Sequence, residues 1–191
     1  MSFDLYLIRH AQSANNALPE PERVEDPGLT DLGEGQSQSL ASRFDTGDLT
    51  VLLTSAFLRA IKTTQPLAAR LQLRPQIWTD LHEVGGCYAG YIPGEETGRP
   101  GMNRDQLRQD FPDFDLPEDI GELGWWRSRP FETWDQGRER AVQQSQKLTR
   151  AFAGSKQHVG CVIHADIKAL LLDALLAQPG EHDPNAMRNT G

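Results

Sequence analysis

Cysteine is scarce in this chain. Only Cys87 and Cys161 occur among 191 residues, and they do not stand in CxxC spacing. That excludes a disulfide scaffold and a cysteine-rich zinc site, and it fits a reducing compartment. An excess of basic residues is also lacking: 19 Lys and Arg face 27 Asp and Glu, for a formal net charge of -8. A general nucleic-acid binder normally carries a basic footprint, so that class is excluded. A small anionic ligand is not, because a few arginines can line a local positive pocket in an acidic protein. No apolar run reaches membrane-spanning length, and Met1 to Asp4 leads into a short apolar segment with no basic region before it. Internal repeats and low-complexity segments are missing as well. The expectation is a cytoplasmic protein that engages neither membrane nor nucleic acid.

What is present looks globular, with 38% hydrophobic and 24% charged residues. The length suits one domain, residues 1–191, with a core that needs no staples. Phe3 to Ile8, Val51 to Leu53 and Val159 to Ile163 are short runs rich in β-formers and read as buried strands. Gln76 to Trp78 is a weaker strand candidate. Helices are predicted from Thr30 to about Phe44, after Thr54-Ser55, from Trp134 to Phe152, and from Ala165 to Ala177. In the first of these, Leu32, Leu40 and Phe44 are expected to face the core. Pro66 is expected to kink or end the second. Strands alternating with helices imply a three-layer α/β/α sandwich around a mostly parallel sheet. Residues 84–133 break the pattern. They are rich in Gly and Pro, carry aromatic clusters at Tyr88/Tyr91 and Trp125/Trp126, and show one short helix near Arg104 to Phe111. Such a stretch reads as an inserted lid.

In sheets of this kind, ligands bind beyond the carboxyl ends of the strands. Arg9-His10 follows the first strand, Ser55 to Arg59 the second, and His164 the last, directly before a helix. A lone strand-end histidine is usually a packed polar residue, and an arginine in a helix's first turns is usually a solvated charge. Two histidines and two arginines on one edge are harder to dismiss. Guanidinium forks match phosphate oxygens, a helix N-terminus favours the same anion, and an imidazole among them can act as nucleophile or hydrogen-bond donor.

Leu7 to Asn16 (LIRHAQSANN) resembles the opening signature of the histidine phosphatase superfamily, in its phosphoglycerate-mutase-like branch. The resemblance continues through Asp26 to Gly33 with Gln36, through Thr54 to Ala60 with Thr63, in Leu81-His82-Glu83, and in Val162 to Ala165. It implies that His10 attacks phosphorus and becomes a phosphohistidine. It further implies that Arg9, Arg59 and His164 hold the phosphoryl oxygens, and that Glu83 carries the proton to the leaving group and then from water. Gln12, Ser13, Asn16 and Ala165 are the further substrate contacts it suggests. No metal and no cofactor are implied, and the partner is a small phosphorylated substrate or inorganic phosphate.

Three features depart from the family pattern. Ala11 and Ala165 stand where glycine is usual, which keeps each backbone N–H but tightens the pocket. Asp166 is a rival to Glu83 as proton donor, and His82 is a third proton carrier, pointing away from its neighbour in an extended segment. Residues 84–133 lie outside the resemblance. Val84 to Tyr91 has no basic residue that would hold a second phosphate, so the expectation is hydrolysis by a phosphomonoesterase. A phosphoglycerate-type mutase and a catalytically weak phosphate-binding protein are the alternatives. Trp125, Trp126, Arg127 and Arg129 either line the substrate mouth or anchor the insertion. Asn189-Thr190-Gly191 resembles the entry to the family's last core strand, so the expectation is either a shortened chain or an absent final strand. Charge divides unevenly, with net -4 over residues 1–83, -5 over 84–133 and +1 over 134–191. An acidic rim over a basic pocket should favour monophosphates over multiply phosphorylated ligands.

Overall fold

The structure is a computed structural model, and it describes residues 3–177. The suggested C-terminal strand entry at Asn189-Thr190-Gly191 lies outside the described residues. The elements run β1 (Asp4–Arg9), α1 (Ala14–Ala17), α2 (Asp31–Ala41), β2 (Val51–Thr54), α3 (Leu58–Leu71) and β3 (Gln76–Ile77). A short hairpin follows, β4 (Tyr88–Ala89) with β5 (Thr97–Gly98), then α4 (Arg104–Asp110), α5 (Trp134–Phe152), β6 (His158–Ile163) and α6 (Ala165–Leu176). The central sheet has the order β3-β2-β6-β1, with every pair parallel. All four strands therefore deliver their carboxyl ends to one edge.

Period-two alternation assigns the faces of the sheet. Leu5 and Leu7 of β1, Val51 and Leu53 of β2, and Val159, Cys161 and Ile163 of β6 point toward α5 and α6, where Ala141, Leu148, Ile167, Leu170 and Leu171 complete a buried cluster. Ile8 and Leu52 point the other way, into a cluster with Ala41, Leu49, Leu67, Ala68 and Leu71 from the α2/α3 side. Helices thus cover both faces, giving the α/β/α sandwich.

Three local expectations are corrected. In α2 the buried residues are Gly33, Ser37 and Ala41, whereas Leu32 is 59% exposed. Small residues win that face because the chain after β1 runs close beneath it: a Cβ on Gly33 would lie 2.1 Å from the Gln12 carbonyl oxygen. The helix does start at the expected cap, with the Thr30 hydroxyl accepting from the Gly33 N–H at 3.0 Å. Helix α3 runs unbroken through Pro66, held on both sides of it by buried Ile61, Thr64, Leu67 and Leu71. Its first turn is capped from afar, and not by Thr54-Ser55, the cap expected from their place just before the helix: the Asp26 carboxylate accepts from the Leu58 N–H at 2.9 Å.

Residues 84–133 pack across the end of α3 and the carboxyl edge of the sheet. Cys87, Leu107, Phe111, Phe114, Ile120, Trp125 and Trp126 share one buried cluster with Ala56, Phe57, Ile61 and Ile77. Gly86 has a φ of +76°, and a Cβ there would fall 2.2 Å from the Trp126 ring. A glycine is required at that point on both counts.

Candidate active site

Neighbouring parallel strands bring the two site histidines together. β1 and β6 pair in register at Arg9 and Ile163, and the His10 N–H donates to the Ile163 carbonyl at 2.9 Å. The ring centroids of His10 and His164 are 5.0 Å apart. His10 is almost wholly buried. Its Nδ1 lies 2.7 Å from the Ala11 carbonyl oxygen, and its Nε2 lies 3.2 Å from Arg59 Nε. A carbonyl can only accept and a guanidinium can only donate, so this network assigns the proton to Nδ1 and the lone pair to Nε2. Burial first, then the Arg59 charge, push the His10 pKa down to about 4. Neutral imidazole with an aimed Nε2 lone pair is the form a nucleophile needs. A titration of the His10 ring followed by NMR should therefore show a midpoint near pH 4, and a midpoint near the ordinary value of about 6.5 would contradict this environment.

Arg59 lies in the first turn of α3, its guanidinium carbon 3.9 Å from the Phe57 ring centroid. Its charge is answered by Asp26 and Glu83. One oxygen of Asp26 caps α3, and the other is buried with no partner. Burial raises the Asp26 pKa to about 7 against the pull of Arg59 and the Leu58 N–H. His164 is fully buried, with its Nε2 2.6 Å from the Ser55 hydroxyl and its Nδ1 without a partner. Burial, with Arg59 and His10 nearby, holds it neutral, well below the usual histidine range. It can thus offer a hydrogen bond through Nδ1 but no positive charge. Arg9 is exposed at the end of β1 and acts on His10 only through its field.

Glu83 sits against the N-terminus of α6. Its Oε1 accepts from the Val84 and Ile167 N–H groups at 3.0 Å each, and its Oε2 from the Asp166 N–H at 3.2 Å. Burial raises its pKa, assisted by the Asp166 charge and opposed by these three donors. Asp166 itself is exposed. His82 turns into the interior, packed against Trp125 and Trp126, with Nδ1 2.8 Å from the Glu83 carbonyl oxygen. Of the three proton carriers weighed from the sequence, Glu83 combines a burial-raised pKa with a place within the field of Arg59, whereas Asp166 is exposed and His82 is packed among the tryptophans.

The remaining residues form a network of their own beside the site. Ser13 donates to the Asn16 side-chain oxygen from both N–H and hydroxyl, at 3.1 and 3.0 Å, and Asn16 is exposed. The Gln12 side-chain oxygen accepts from the Thr30 hydroxyl at 2.7 Å. The Ala11 N–H donates to the Thr63 hydroxyl at 3.0 Å, so it is already engaged. Ala165 begins α6. Trp125 and Trp126 are buried, and Arg129 stacks over Trp126 at 3.9 Å while donating to its carbonyl. The two tryptophans pack residues 84–133 onto the core. Sequence reasoning passed over Ser55 and Asp26 as site groups. Both stand in the matched blocks, but their contacts join positions 109 and 32 residues apart, which no local pattern encodes.

Known proteins resemble this chain in sequence and in fold. Residues 5–191 match the family profile of the histidine phosphatase superfamily (branch 1). Among curated proteins, a PE-PGRS family protein of Mycobacterium tuberculosis is 34% identical over 79 residues, which is 40% of this chain and 14% of that protein. The chain thus matches only a small part of the length of that relative. A candidate alpha-ribazole-5'-P phosphatase of Escherichia coli shares the fold with a TM-score of 0.62 and 22% identity, covering 95% of this chain and 83% of that one. A mycobacterial glucosyl-3-phosphoglycerate phosphatase solved with VO3 gives a TM-score of 0.60 at 22% identity, covering 92% and 81%. A phosphoserine phosphatase of Entamoeba histolytica solved with 3-phosphoglyceric acid gives 0.57 at 20% identity, covering 92% and 80%. By its profile match over nearly the whole sequence, the chain belongs to the histidine phosphatase superfamily, branch 1.

Proposed function

We propose that this protein hydrolyses small phosphomonoesters without a metal, through a phosphohistidine on His10. The observation that carries this reading is the His10 ring itself: neutral, pinned through Nδ1 to the Ala11 carbonyl, with its Nε2 lone pair beside the Arg59 guanidinium. A phosphoryl group entering here would take over the Arg59 N–H that His10 now accepts. His10 Nε2 would then form the bond to phosphorus as the bond to the ester oxygen breaks. Arg59, Arg9 and the free Nδ1 of His164 would meet the phosphoryl oxygens, where most of the catalysis of phosphoryl transfer resides. The proton for the leaving alkoxide would come from Glu83, whose carboxylate would then take a proton from the attacking water and release phosphate from His10. The arginines would supply the positive charge that a metal supplies elsewhere, and His164 a neutral hydrogen bond.

Hydrolysis is favoured over mutase transfer because Val84 to Tyr91, adjoining Glu83, offers no basic residue for a second phosphate. Residues 84–133 would act as the cover that selects the substrate within a single domain. Their hairpin is tied to the site loop where Tyr91 donates to the Val24 carbonyl at 2.7 Å and accepts from Asn15 at 3.1 Å. Two relatives of this fold act, by their names, on phosphoserine and glucosyl-3-phosphoglycerate, which fits a small organic phosphate here. A cytoplasmic setting agrees with two buried free thiols. The test is hydrolysis of p-nitrophenyl phosphate and a panel of metabolite phosphates in excess EDTA. Turnover that EDTA leaves intact is expected. Failure on the whole panel would favour the binding-protein reading, and phosphate recovered on a second position of the substrate, with little released, would favour the mutase.

A further inference from the structure

Glu83 lies in a loop whose backbone is gripped on both sides by one buried ion pair. Arg140 of α5 meets Glu132 in a two-pronged contact, Nε to Oε1 at 2.7 Å and Nη2 to Oε2 at 2.6 Å. Its remaining nitrogen, Nη1, donates to the carbonyls of Asp80 at 2.7 Å and His82 at 3.0 Å. The Glu132 N–H donates to the carbonyl of Gly85 at 3.1 Å. Carbonyls three residues before, one before and two after Glu83 therefore all end on this pair. The carbonyl of Glu83 itself is bound by the Gly86 N–H at 3.0 Å and faces His82 Nδ1. Arg140, Glu132 and His82 are all buried, and Glu132 Oε1 is 4.0 Å from His82 Nε2.

We propose that Arg140 and Glu132 are positioning residues that hold the Glu83 carboxyl in place for proton transfer. The assignment rests on the reading of Glu83 as acid and base. A buried ion pair is a weak source of net stability, because desolvation offsets most of the attraction. Its fork geometry supplies what a hydrophobic pair cannot: four N–H donors directed at one carboxylate and two carbonyls of a single loop. The pair also spans the insertion, joining residue 132 near its end to residues 80–85 at its start. The angle at which Glu83 enters the site is thereby coupled to the seating of the insertion.

The test exploits leaving-group chemistry. An alkyl phosphate needs a proton on its departing oxygen, whereas p-nitrophenolate leaves unaided. kcat/KM reads the reaction as far as alcohol release. Arg140→Lys keeps the charge and loses the fork, so it should lower kcat/KM for an alkyl phosphate about tenfold and that for p-nitrophenyl phosphate less than about threefold, given the 10²–10⁴ typical of acid–base catalysis as a whole. In a Glu83→Gln background the same substitution should have no further effect. Equal losses on both substrates, no loss on either, or a loss that persists in full beside Glu83→Gln would overturn the proposal. Glu132→Gln serves the same cycle if Arg140→Lys does not fold. Glu83→Gln alone, if it spares alkyl and aryl substrates alike, would overturn the reading of Glu83 and the positioning role built on it.

Discussion

His10→Ala is expected to lower phosphomonoester turnover by roughly 10⁴- to 10⁶-fold, the range seen when an enzymatic nucleophile is deleted. The size of the loss follows from the role. Nothing else in the site offers an unprotonated nitrogen in line with the Arg59 fork. In His164, Nε2 lies against the Ser55 hydroxyl, and the enclosed Nδ1 is the nitrogen read as the hydrogen-bond donor to the phosphoryl group. His82 is turned away among the tryptophans. Folding should survive the change, since His10 contributes one backbone N–H to the sheet and alanine keeps it. Steady-state kinetics on purified wild type and variant, with melting curves to show equal folding, measure the effect. A loss of less than about tenfold would remove His10 from the reaction.

Arg59→Met should be the second largest effect, about 10³-fold in kcat/KM, as expected for removing a principal charge on a transferring phosphoryl group. Methionine keeps much of the aliphatic stem but loses the guanidinium that lies over Phe57, so the loss reports the charge, hydrogen bonding and stacking of that group together. Lysine at this position should recover only part, because a single ammonium cannot replace the planar fork. A companion effect has a definite sign. Arg59 lowers the His10 pKa through its charge, so Arg59→Met should move the His10 titration upward from about 4. Full activity in Arg59→Met, or an unmoved His10 titration, would contradict the contact between them.

What the sequence made legible follows its physics. The strands of the sheet are short apolar runs, and a parallel sheet buried on both faces writes such runs plainly. Their ends carried His10 and His164, and the likeness to a known family supplied roles that periodicity alone could not. On α2 hydrophobicity suggests Leu32, whereas the face turned inward carries Gly33, Ser37 and Ala41, and at Gly33 the Gln12 carbonyl leaves no room for a side chain. Pro66 was misread because a local rule about helix breaking yields to packing along both halves of α3. The hairpin of β4 and β5 has two residues per strand, too few for any alternation to register. Asp26, Ser55 and the Arg140–Glu132 pair act across distances in the chain that no window spans. In sequence, a glutamate and an arginine eight residues apart look like ordinary surface charges, and only the packing of α5 against the Glu83 loop buries them.

The central claim is a covalent phosphohistidine on His10, and trapping it is the most direct measurement. Wild-type protein mixed with radiolabelled phosphomonoester and quenched within the first turnovers in alkaline detergent should carry protein-bound phosphate. That label should be released by mild acid, as a phosphorus–nitrogen bond requires, and His10→Ala should carry none. Equal labelling of wild type and His10→Ala, or a label stable to acid, would contradict the account.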